Sequence, residues 1–61
     1  MGQRWTAPGG WDVEAIRLGG RGCLRVRLHR SLIGYAYTME ELERMLLVYG
    51  LSVADLVEVE D

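Results

Sequence analysis

The sequence predicts an α+β fold: a three-stranded antiparallel β-meander packed on one main α-helix, plus a short C-terminal helical turn. Three observations predict it. Two alternating apolar–polar runs, WDVEAIRL and CLRVRLH, flank a glycine corner, GGRG. A shorter run, IGYAY, follows them. Then Thr-Met-Glu-Glu opens a stretch whose apolar residues recur at helical spacing. A period of two marks a half-buried strand, and i, i+3, i+4 spacing marks an amphipathic helix.

Residues 1–10 are expected to be a flexible N-terminal arm, and 11–61 a single small α+β domain. Ala7-Pro8-Gly9-Gly10 is a cluster of breakers. Trp5 is out of character in an arm, so it either folds back onto the domain or meets another chain.

In residues 11–18, Trp11, Val13 and Ala15 share one side while Asp12 and Glu14 share the other. In residues 23–29, Leu24, Val26 and Leu28 face in, and Cys23, Arg25, Arg27 and His29 face out. Two such runs across a short glycine loop predict a β-hairpin. A loop centred on Gly20-Arg21 sets Glu14 across from Arg27 and Asp12 across from His29. Opposite charges facing each other across a strand pair contribute roughly 0.2–1 kcal/mol.

Residues 33–37 form the expected third strand, with Ile33, Tyr35 and Tyr37 on one face and Gly34 and Ala36 on the other. Thr38 with Glu41 fits a capping box, each side chain bonding the other's backbone N–H. Tyr37 and Leu42 fit the hydrophobic staple that accompanies it, which predicts that the Ile33/Tyr35/Tyr37 face is buried. The helix is expected to run to about Tyr49, with Met39, Leu42, Met45, Leu46 and Tyr49 as its apolar stripe. Gly50 and Leu51 fit a Schellman ending. Ser52 caps a further turn, with Asp55 as its partner, running through about Val57 in preference to a strand.

LLVYGLSVADLVEVE resembles the helix-turn-helix pattern: helix, glycine at the turn, an apolar residue, then a serine capping a second helix. That resemblance implies a second helix that reads DNA. The segment departs from the pattern by placing Asp55, Glu58 and Glu60 there without a cation, and Leu46 where a tight crossing favours a small residue. A capped helix followed by an acidic turn is the expected structure.

Sixty-one residues bury only a marginal core alone. One cysteine, Cys23, allows no internal disulfide, and one Cys with one His falls short of a four-ligand zinc site. No cofactor is expected, and no enzyme activity. Cys23 and His29 are six residues apart on one strand, ~20 Å at about 3.3 Å per residue, too far for a nucleophile–base pair. The glycine corner precedes no helix, so it lacks the dipole of a phosphate cradle. MGQRWTAPGG has no apolar signal region, and no run is long enough to span a membrane. The expected location is the cytoplasm. All seven basic residues are arginine, read as the trace of a GC-rich, bacterial genome.

Charge divides the chain. Residues 1–30 carry six arginines against Asp12 and Glu14, and residues 31–61 carry Arg44 against seven acidic residues. Such a split fits a two-faced binder or head-to-tail attraction between copies. The expected function is protein interaction, most simply as a homodimer, through Trp5, Trp11, Arg25, Arg27, Leu47 and Val48. Trp and Arg are enriched at such interfaces. The alternative is nucleic-acid binding through Arg25, Arg27 and Arg30, with Tyr35 or Tyr37 as stacking platforms. The net charge of −2 argues against it.

Overall fold

The computed structural model describes residues 2–59. Their elements are β1 (Arg4–Ala7), β2 (Trp11–Leu18), β3 (Arg21–Leu28), β4 (Ser31–Ala36), α1 (Met39–Val48), a 3-10 turn (Val53–Asp55) and β5 (Val57–Glu58). The strands form one antiparallel sheet in the order β4-β3-β2-β1-β5. The α+β class is as expected, but the sheet has five strands where three were expected.

The first added strand comes from the expected arm. Trp5 stands opposite Val13 and Ala7 opposite Trp11. Trp5 and Ala7 thereby lengthen the apolar face that β2 already presents. Pro8-Gly9-Gly10 is therefore a hairpin loop, with Gly9 and Gly10 at φ 99 and 90. The second addition replaces the end of the expected helical turn. Ser52 accepts from the Ala54 N–H, and Asp55 accepts from the Ser52 N–H, as expected. The turn stops at Asp55, however, and Leu56 is extended. Val57 then pairs with Thr6, Glu58 pairs with Trp5, and the Val59 N–H donates to Arg4 O at 2.8 Å. Extending the chain here satisfies the outer backbone groups of β1, which a helical turn would leave bare. This strand, and a 3-10 turn of three residues, rule out the helix-turn-helix arrangement for the described residues. Glu60 and Asp61 lie outside them.

The β2–β3 register differs from the expected one by two residues. Gly19 and Gly20 form the two-residue loop, at φ 61 and 82. A primed turn needs positive φ at both central positions, and adjacent glycines supply it without strain. Centring the loop there rather than on Gly20-Arg21 sets Glu14 across from Arg25 and Asp12 across from Arg27. A one-residue slip would exchange the faces, whereas a two-residue shift preserves them.

β4 keeps Ile33 against the core as expected, but beyond it the expected faces are reversed. Between Val26/Arg27 and Gly34/Leu32 the pairing skips Ile33, a bulge. Ala36 is fully buried, while Tyr35 and Tyr37 are 36% and 40% exposed. The reason is steric. The helix comes close over β4 only where side chains are small, and a Cβ on Gly34 would stand 3.3 Å from Met45 Cε. The tyrosines take the open side.

α1 begins and ends as its residues dictate. Thr38 Oγ1 accepts from the Glu41 N–H at 3.1 Å. Glu41 in turn accepts from the Tyr37 N–H, one residue before the expected Thr38. At the other end Gly50 is at φ 76, with Leu51 N–H bonded to Leu46 O and Gly50 N–H to Leu47 O. These two bonds make the Schellman ending. Leu42 and Leu46 are buried on the sheet with Val13 and Val26. Trp11, expected to be surplus, is 7% exposed and meets Tyr49 edge-on with ring centres 5.1 Å apart.

Candidate functional site

The sheet face turned away from α1 holds the arginine row. Antiparallel pairing brings opposed side chains to within about 5.5 Å at Cβ. Arg25 accordingly bonds Glu14, and Arg27 Nη2 meets Asp12 Oδ2 at 2.9 Å. Arg27 also lies 3.8 Å from Glu14, and Arg4 Nε lies 3.7 Å from Asp12 Oδ1. Three cations and two carboxylates thus interleave across β1, β2 and β3. Each pair is partly open to water, so its worth is at most ~1 kcal/mol. The effect on the surface is larger, because the row no longer presents bare positive charge.

The remaining cations do not gather. Arg17 and Arg21 flank the Gly19-Gly20 loop, while Arg30 sits beyond the far end of β3. Arg21 places its guanidinium 4.8 Å from the centre of the Tyr37 ring, a cation–π contact. Arg30 shares a two-residue loop with His29, both in the left-handed region at φ 70 and 51. The His29 N–H is bonded to Gly10 O, which ties this loop to the β1–β2 hairpin. Cys23 lies on the arginine face as expected but is buried there. It stands near the opposite end of β3 from His29. Among the described residues, no group of three or more His, Cys, Asp or Glu is placed to hold a metal.

The expected contact residues therefore separate. Arg25 and Arg27 are on the open sheet face, and Trp11 is in the core. Trp5 is half-buried and lines an apolar cavity of about 140 Å³ with Leu24, Met39, Leu42, Val53 and Leu56. Leu47 and Val48 stand on the outer side of α1, 60% and 79% exposed. Sequence reasoning missed Leu32 and set Tyr35 on the buried face, naming it only as a nucleic-acid platform; both are exposed beside the outer edge of β4. The signal for Tyr35 was the small pair Gly34 and Ala36. Leu32 depends on the bulge, which no residue pattern announced. Among the described residues, no helix is long and apolar enough to cross a membrane. Compared with family models, curated proteins and solved structures, the chain matches none of them.

Proposed function

We propose that the chain is a small, non-catalytic protein-interaction domain whose partner is a second copy of itself. The observation that carries this is the exposure of large apolar side chains, Leu47 and Val48 on the helix and Leu32 on the sheet. Single exposed apolar residues are ordinary. Here they accompany a chain near the lower size limit for an independent core. Covering a few hundred Å² of apolar surface at ~25 cal/mol per Å² adds several kcal/mol, a large share of so small a domain's stability. Burial of Cys23, away from His29, supports the non-catalytic part of the reading. The lysine-free composition supports a bacterial origin, and a single cysteine fits the cytoplasm.

Nucleic-acid binding through Arg25, Arg27 and Arg30 has weaker support. Two of the three arginines have carboxylate partners within the chain, and the third is on the loop that follows their strand. Sedimentation across micromolar to millimolar concentration tests the primary reading. A concentration-dependent dimer is the expected result. A monomer throughout, with salt-sensitive binding to random-sequence DNA or RNA, would replace it with the alternative.

A further inference from the structure

We infer that the second copy pairs along the free edge of β4, joining two sheets into one across a two-fold axis. This deepens the homodimer reading and rests on it. β4 ends the sheet, and among the described residues no backbone group meets its outer side. Its sequence, SLIGYA, contains no charge and no proline. Sheet edges open to water are normally kept short, charged or broken by proline, because a bare edge recruits another strand. The opposite edge follows that rule: β5 has two residues, one of them Glu58. β4 has six. Its only protection is the bulge at Ile33, which leaves Gly34, Tyr35 and Ala36 in regular pairing with β3.

The flanks of this edge suit the same partner. Leu32 and Tyr35 lie exposed on the open sheet face. Met45 sits over Gly34 on the other face. A strand without charge has no electrostatic objection to its own copy. Antiparallel self-pairing also closes on itself, with each copy satisfying the other's edge. A stable interface takes about 800 Å² from each partner, roughly a fifth of this chain's 4433 Å². A six-residue strand about 20 Å long, bulged at Ile33, brings apolar side chains on both of its faces toward that area.

The test compares sedimentation of the full chain with Leu32→Lys, Tyr35→Lys, Leu47→Lys and, at the opposite edge, Val57→Lys. Circular dichroism checks the fold of each variant. Leu32→Lys and Tyr35→Lys are expected to weaken the dimer roughly tenfold or more, as each puts a charge in place of an apolar contact beside the seam, while Val57→Lys leaves it intact. In a mixture of differently isotope-labelled wild-type chains, nuclear Overhauser contacts between the two β4 strands are expected. This second measurement stands even if a lysine variant fails to fold. A dimer broken by Leu47→Lys but untouched by the β4 variants, or lacking β4–β4 contacts, overturns the β4 seam and leaves the homodimer reading standing. A wild-type chain that stays monomeric overturns both.

Discussion

Replacing Arg30 with glycine should stabilise the protein. Arg30 holds φ 70 without being glycine. For an ordinary L-residue the left-handed region costs about 1–2 kcal/mol, because Cβ crowds the following carbonyl. Glycine removes that cost but gives the unfolded chain more freedom, which returns roughly 0.5–1 kcal/mol. The net gain is therefore about 0.5–1 kcal/mol. Among the described residues Arg30 makes no ion pair whose loss would offset it. For a domain of this size, 1 kcal/mol corresponds to a Tm shift of roughly 4–8 °C. The assay is thermal unfolding followed by circular dichroism at one fixed protein concentration, since association makes Tm depend on concentration. Arg30→Ala separates loss of the guanidinium from relief of the backbone and should show none of the gain. Gly20→Ala, at φ 82, should move Tm the other way by a similar amount. If Arg30→Gly lowered Tm, or if Arg30→Ala raised it equally, the turn would owe its stability to something other than backbone conformation.

Other expectations follow from packing and charge. Leu46 is fully buried, so Leu46→Ala should cost about 2–5 kcal/mol, against a total of about 3–9 kcal/mol for a chain this long; chemical denaturation should show a largely lost cooperative transition. Ala36→Leu should destabilise by roughly 1–3 kcal/mol through overpacking beneath α1, whereas Tyr35→Ala should cost less, and the reverse order in urea melts would return the tyrosines to the buried face. A double-mutant cycle on Glu14→Gln and Arg25→Ala should give a coupling below about 1 kcal/mol that shrinks as salt is added. The Asp12→Asn/Glu14→Gln chain should bind random-sequence DNA more tightly than wild type at low salt, read by fluorescence anisotropy, because the same arginines then stand unopposed.

Features encoded locally were legible in the sequence, and those settled by distant partners were not. Thr38, Gly50, Ser52 and Asp55 each act on backbone groups within a few residues, so the borders of α1 and the start of its following turn could be read directly. The alternation of β2 and β3 was equally plain, and even a misplaced loop kept each residue on its side. The strand Arg4–Ala7 escaped because its four residues precede a breaker cluster, and Val57–Glu58 because it is two residues long and acidic. β1 exists because it bonds β2 on one side and β5 on the other, and β5 because β1 offers it an edge. The faces of β4 were misjudged for a related reason. A staple between Tyr37 and Leu42 is a local argument, whereas the space between helix and sheet is set by Gly34 and Ala36 against Met45. At the candidate surface, the arginine–carboxylate interleaving was legible in kind, while Trp11 was drawn into the core by Tyr49, an encounter that spacing does not reveal.

The bond between Val59 and Arg4 joins residues fifty-five positions apart. Such a pairing forms only after the intervening chain has been brought into place, and long-range closures of this kind slow folding. During synthesis, the outer edge of β1 stays unsatisfied until residues 57–59 have left the ribosome. The exposed backbone of β1 would meanwhile be open to neighbouring nascent chains. A chain truncated before residue 57 would therefore hold a sheet with two unguarded edges, more prone to aggregate than the whole chain.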